Sequence, residues 1–407
     1  MRPRTRRTNA RSRFPDQIGV GSVEITPLQR RYIADVLRRK RLSYGPYSQA
    51  FERKFAGLHA RRFGVFCNSG TSALQVGVDA LRERYGWKAG DEVLVPAATF
   101  IASSNVVLMA GLTPVFVDID PLHYELDPEQ IERHVTKRTR AIMPVHLFGQ
   151  PCDMAPILEV ARRRRLRVIE DSCEAMFVKY RGAPVGSWGE IACFSTYAAH
   201  LITTGVGGLA CTNDQELATL LKSLCNHGRD GIYVSIDSSK RLRGAQMYRL
   251  VERRFSFVRQ GYSYRATELE AALGLAQLET WRAMIAARQR NAAYLTEGLR
   301  DLEDFVQLPR VRAHTEHAFM MYPIVVRPGC GRKRDLVFFL EARNIETRDA
   351  LPLLAQPFYR RLFGRIEAKY PVARWVTRNG FYVGCHPSLG RKELDFIIEQ
   401  VHVFFKR

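Results

Sequence analysis

Residues 92–117 read EVLVPAATFIASSNVVLMAGLTPVFV. An apolar run from Glu92 to Val95, apolar residues at helical spacing around Ile101 to Met109, and a second run from Pro114 to Val117 predict a strand, a helix and a strand. The alternation extends in both directions. Upstream lie an apolar strand at Phe63 to Phe66 and a helix after Ser72, preceded by helical patterns at Thr26 to Arg39 and Tyr47 to Leu58 with a Gly45-Pro46 turn between them. Downstream come a helix at Pro128 to His134, a strand at Ala141 to Val145, a helix at Met154 to Arg164 and a strand at Arg167 to Ile169. Such repetition predicts an α/β fold, a mainly parallel sheet with helices on both faces.

Ile191 to Ser195 and Gly208 to Thr212 read as a hairpin-type addition to that sheet, and a long helix is predicted from about Thr267 into the 280s. Near Leu308-Pro309 the pattern changes. Segments at Phe319 to Val326, Lys333 to Ala342 and Leu394 to Phe405 suggest a smaller α/β unit at the end of the chain. The expected division is a disordered basic tail over residues 1–20, a large domain over 21–290 and a small C-terminal domain over 291–407.

With 407 residues, 46% hydrophobic and 25% charged, the chain is long enough for a large buried core. No apolar stretch approaches the roughly 20 residues that cross a bilayer, and no apolar segment follows the basic N-terminus, so a soluble cytoplasmic protein is expected, with no membrane partner. The eight cysteines lack CxxC pairing and mostly sit in apolar runs, where they read as reduced thiols. A formal charge of +21 raises the question of nucleic acid. Six arginines (Arg2, Arg4, Arg6, Arg7, Arg11, Arg13) precede the first acid, Asp16, and belong to the tail; the remaining excess spreads over helix faces without a zinc or RNA-binding signature. No nucleic-acid partner is expected.

Two places could carry chemistry. Asn68-Ser69-Gly70-Thr71-Ser72-Ala73 joins a strand to a helix, where small residues let backbone N–H groups reach an anion at the positive helix end; a plain N-cap accounts for the same residues. Asp171 ends a strand at the carboxyl edge of the sheet, where such sheets bind ligands. A carboxylate there can keep a pyridinium nitrogen protonated, or it can simply cap the next helix.

Taken in order, GDEVLVP, TFIAS, PVFVDID, AIMPVHLFGQP, VIEDSCEA and FSTYAAHLITTGVGG, after SGTSA, make the chain resemble the DegT/DnrJ/EryC1/StrS sugar aminotransferase family from about Tyr44 to the C-terminus. The resemblance implies a PLP-dependent transferase fold type I, aspartate-aminotransferase-like, with a mainly parallel seven-stranded sheet in the large domain. It implies pyridoxal 5′-phosphate or pyridoxamine 5′-phosphate as cofactor and a homodimer. By resemblance Gly70 and Thr71 cradle the phosphate with Ser195, Phe100 stacks on the ring, Asp171 faces the ring nitrogen, and Glu174 and Ser263 join the cofactor site. Position 200, where the family has its Schiff-base lysine, is His200.

Histidine has no primary amine, yet it moves protons near neutral pH. The chain is similar in this to the nucleotide-diphosphate 4-keto-6-deoxyhexose 3-dehydratases, whose histidine acts as the base that takes a proton from the cofactor's C4′ while the C3 hydroxyl leaves. Gly261-Tyr262-Ser263, Gln356-Pro357-Phe358 and Gly384-Cys385-His386-Pro387 also look like that subset. The resemblance thus implies a nucleotide-diphosphate sugar substrate, an amino donor such as glutamate, and a place in deoxysugar biosynthesis. One branch of these dehydratases carries a [2Fe–2S] cluster, whose cysteine spacing counted from Cys173 falls on Gly231, Tyr233 and Arg241, so no iron–sulfur cluster is expected. Other features depart from the pattern: Val206 stands for the glutamate of GEGG, Ser263 for the asparagine of GYN, and TFIAS is closer to the aminotransferases. Two other functions stay in view, an aminotransferase relative with altered chemistry and a non-catalytic binding or regulatory protein that keeps the fold.

Overall fold

The computed structural model describes residues 14–230, 243–253 and 255–406. In chain order the strands are β1 (Phe63–Cys67), β2 (Glu92–Pro96), β3 (Thr113–Val117), β4 (Thr139–Ile142), β5 (Arg167–Asp171), β6 (Lys179–Tyr180), β7 (Ala183–Pro184), β8 (Ile191–Ser195), β9 (Gly208–Thr212), β10 (Val306–Gln307), β11 (Tyr322–Val326), β12 (Arg348–Asp349) and β13 (Gly380–Val383). The main sheet has seven strands in the order β1-β9-β8-β5-β4-β2-β3. Strands β3, β2, β4, β5 and β8 are mutually parallel. The fold is therefore the α/β type I arrangement that the sequence predicts.

Strand β9 is antiparallel to both neighbours, so β1 beyond it again runs the way of the parallel set. The antiparallel β8–β9 pair is the hairpin-type addition that the sequence predicts; it enters the sheet with β8 in the parallel set and β9 alone reversed. The carboxyl ends of β1, β2, β5 and β8 consequently open on one edge of the sheet.

Local chemistry explains the helices that feed this edge. Ser69 caps the Gly70–Tyr85 helix by accepting from the Ser72 amide at 3.0 Å, and Gly86 ends it at φ 65°. Thr26 and Gln29 form a capping box on Pro27–Arg39, with Pro27 in the first turn. The long helix expected from Thr267 is two helices, Glu268–Gln277 and Trp281–Leu299. Neither glycine nor proline breaks it. The Gln277 side chain instead holds the backbone of Thr203, accepting at 2.9 Å and donating at 2.6 Å, while Trp281 stacks on Phe177 with centroids 5.0 Å apart.

A second, antiparallel sheet, β10-β11-β13-β12, carries its own apolar cluster including Tyr322, Ile324, Phe381 and Ile397. The connection between β10 and β11 is latched to the loop after β3 by Arg312, which donates to Glu125 at 2.9 Å and lies 3.5 Å from Asp120. Burial pushes the Glu125 carboxyl up, against the pull of Arg312. Part of the expected tail is ordered: Phe14 packs on Phe396, and Ile18, 3% exposed, bridges Ile345. Apolar residues at 14, 18 and 20 dock this stretch, whereas the Arg-rich residues 1–13 lie outside the described residues.

Candidate active site

The sheet edge brings together what the sequence keeps apart. Along β5 successive side chains face opposite ways, and the two acids at its end have opposite tasks. Glu170 is enclosed by structure: it accepts from the amides of Gly186, Trp188 and Gly189 at 2.9, 2.8 and 2.6 Å and meets His146 at 3.2 Å and Arg61 at 3.3 Å. Burial alone would raise its carboxyl, but the His146 contact and Arg61 bring it below the usual range. Asp171 faces the cavity. It accepts from Ser103 Oγ at 2.7 Å and from the Cys173 amide at 3.2 Å, and burial still raises its pKa. Among the described residues it has no ion-pair partner.

The loop after β8 carries His200. Its base is closed by Thr196 and Thr204, whose hydroxyls are 2.6 Å apart, and by Ala198 N to Gly205 O at 3.1 Å. Gly207 sits at φ 154°, where a Cβ would come within 2.5 Å of both threonine hydroxyls, so this turn requires glycine. The imidazole Nδ1 is buried without a hydrogen-bond partner. Burial lowers the ring's pKa to about 4, against the pull of the Ser195 and Cys173 carbonyls, and the imidazole is neutral at pH 7.

The Gly70–Tyr85 helix points its N-terminus at the end of β8. A Cβ on Gly70 would lie 2.6 Å from Ser195 Cβ and 3.0 Å from Cys173 Sγ. Glycine thus lets the first helical amides reach the edge, where anions are favoured. Glu174 completes this wall, accepting from Phe148 N at 2.8 Å, and burial raises its carboxyl to about 7. Phe100, 56% exposed, caps the Ile101–Met109 helix at the cavity rim.

A cavity of about 650 Å³ lies between the two sheets, and Gly70, Thr71, Phe100, Asp171, Glu174, Ser195 and His200 all line it. Ser263 does not; it bridges Asn226 elsewhere on the chain. Sequence reasoning missed one wall, built by Val20 to Val23, by Glu346 just before β12, and by Arg348 and Tyr382 of the second sheet. The glycines flanking Val20 were its only local signal: a Cβ on Gly21 would sit 3.1 Å from Ala199 Cα, so the N-terminal stretch packs directly on the His200 loop.

Comparison with known proteins matches residues 24–402 to the DegT/DnrJ/EryC1/StrS aminotransferase family. The chain belongs to this family. Among its relatives, GDP-perosamine synthase of Caulobacter vibrioides is 37% identical over 385 residues, covering 94% of this chain and 96% of that protein. A dTDP-4-dehydro-2,6-dideoxy-D-glucose 3-dehydratase of Saccharopolyspora spinosa is 34% identical over 378 residues, covering 89% and 81%. Among solved structures, S. venezuelae DesV superposes with a TM-score of 0.81 at 31% identity, covering 93% of this chain and 94% of that one. E. coli GDP-4-keto-6-deoxy-D-mannose-3-dehydratase with bound hydrated PLP gives 0.85 at 25% identity, covering 95% and 99%.

As a member of the DegT/DnrJ/EryC1/StrS family the chain is a PLP-dependent enzyme, working with pyridoxal phosphate or its amine form. Its own residues fit that group. At Gly70 the missing Cβ leaves the helix end bare against Ser195, and among the described residues the buried Asp171 has no cation beside it and His200 Nδ1 has no hydrogen-bond partner. No described residue lining the cavity is a lysine.

Proposed function

We propose that this enzyme removes water across C3 of a nucleotide-linked 4-keto-6-deoxy sugar, with His200 as the base, as a homodimer in deoxysugar biosynthesis. The observation that carries the reading is His200 itself: a neutral imidazole in a cavity that has no lysine among its described lining residues. Pyridoxamine phosphate, when bound, supplies the amine that condenses with a C4 ketone and a ring that accepts electrons.

The chain's residues do the rest. The amides of Gly70 and Thr71 and the Ser195 hydroxyl hold the phosphate, and Phe100 covers one ring face. Asp171, oriented by Ser103, keeps the proton on the ring nitrogen. The His200 imidazole takes the proton from C4′ without first having to lose one, and its new charge is tolerated once anionic ligands fill the cavity. Ser263, remote from this cavity, belongs to the reading only through a second subunit. Ile101-Ala102-Ser103 and the 37% identity to a perosamine synthase favour a second reading, an amine-transferring reaction with altered chemistry.

Purified protein loaded with pyridoxamine phosphate and given CDP-, GDP- and dTDP-4-keto-6-deoxyhexoses separates the two by mass spectrometry. Dehydration predicts a sugar product about 16 mass units lighter, because the C3 hydroxyl leaves as water and a hydrogen takes its place while pyridoxamine phosphate is oxidised to pyridoxal phosphate and its nitrogen leaves as ammonia. A product carrying nitrogen in place of the ketone oxygen would establish the second reading instead.

A further inference from the structure

The cavity is short of cations. Among the described residues lining it, Arg348 is the one lysine or arginine, set against Asp171, Glu174 and Glu346. It stands on β12, on the wall contributed by the second sheet, away from the Gly70 helix end. Arg348 Nη1 donates to Thr347 O at 3.0 Å, and Nη2 pairs with Glu346 Oε1. The other Glu346 oxygen accepts from Val20 N at 2.8 Å, so the acid is fixed by the N-terminal stretch and cannot follow the arginine. The arginine side chain remains 53% exposed, and a guanidinium has about five donors, of which these contacts use two.

This arrangement suits one class of ligand. A diphosphate brings charge that a single, already paired arginine cannot neutralise. An α-amino acid brings a carboxylate, which matches the arginine fork, and an ammonium group, which suits a cavity whose remaining charges are acidic. We infer that Arg348 is the carboxylate anchor of the amino donor, with Glu346 as its built-in competitor, an inference that rests on the amine-form chemistry proposed above. In that half-reaction the donor's α carbon is oxidised from amine to ketone while the cofactor's aldehyde carbon is reduced to the amine. Two electrons and the nitrogen pass between them, one water is formed and one is consumed, and His200 carries the proton.

The test begins with glutarate, an unreactive dicarboxylate, titrated calorimetrically into the PLP-loaded protein. Wild type binds it. Arg348→Met weakens it by about 10-fold or more, roughly 1.4 kcal/mol, Arg348→Lys falls between, and Glu346→Gln tightens it, all with unchanged thermal unfolding. In kinetics Arg348→Met raises KM for L-glutamate and leaves KM for the sugar unchanged when pyridoxamine phosphate is supplied. Absence of glutarate binding by wild type, equal affinities in all variants, or a loss confined to GDP binding would each overturn the inference. The glutarate arm contains no sugar, so a protein that binds it through Arg348 yet eliminates no water keeps this inference and loses the dehydration reading.

Discussion

A histidine whose pKa is held near 4 by burial is a base that needs no activation in the physiological range. Proton removal at C4′ should therefore be flat between about pH 6 and 8, and His200→Asn should slow C4′–H exchange into deuterated water by about 10²–10⁴-fold while cofactor affinity persists. Exchange at the wild-type rate would remove His200 from the chemistry. Glu174 offers the opposite case. Its carboxyl is raised from 4.5 to about 7, so the folded state binds this proton more tightly than the unfolded chain. Its contribution is complete below pH 4.5 and is lost as pH rises through 7, a penalty of about 3 kcal/mol by linkage. Glu174→Gln cannot ionise, so urea melts of the cofactor-free protein should show the variant gaining on wild type across that window. Position 200 was legible in the sequence because it breaks a motif; the Glu170 and Asp171 roles were half legible. Strand alternation says the two acids face apart, but only the closing of the Gly186–Gly189 turn around Glu170 says which of them is structural.

At the scale of elements, the site depends on a helix end brought against a strand end. Gly70→Ala would set a Cβ 2.6 Å from that of Ser195, with little room for either backbone to yield. Overpacking of this kind costs about 1–3 kcal/mol, and the expected signature is a lower unfolding temperature together with a larger loss of PLP affinity than a remote substitution of equal destabilisation causes. The parallel strands were readable because each is a short apolar run closed by turn residues. The β8–β9 pair was readable as a hairpin-type addition, but the placing of β9 beside β1 was not, since that pairing joins residues more than 140 positions apart and leaves no local trace. The same holds for the interruption of the long helix. Its residues favour continuation, and the break is imposed by Gln277 reaching the Thr203 backbone, a contact between segments 74 residues apart.

For the molecule as a whole, Arg312 ties the β10–β11 connection of the second sheet to the loop after β3. Arg312→Met leaves Glu125 fully buried without its cation, which should destabilise the protein by about 3–5 kcal/mol, read as a lower urea midpoint at unchanged slope; an unaltered midpoint would show that the latch carries no weight. The small unit's existence was visible in the sequence, but not that it supplies a wall of the cavity, because Arg348 and Glu346 sit in a stretch with no motif of its own. The N-terminal residues were misread for a related reason. Composition is set by the arginines of residues 1–13, and it hides three apolar residues that find partners more than 300 positions away. That pairing has a consequence for biogenesis. Val20 is held by Glu346 at a separation of 326 residues, so a chain still emerging from the ribosome has its first stretch exposed and unpartnered until nearly the last domain is made. The strand ends of β1 to β8 are all synthesised by residue 195, whereas the cavity wall that Glu346 and Arg348 supply joins them only after about 150 further residues have left the ribosome.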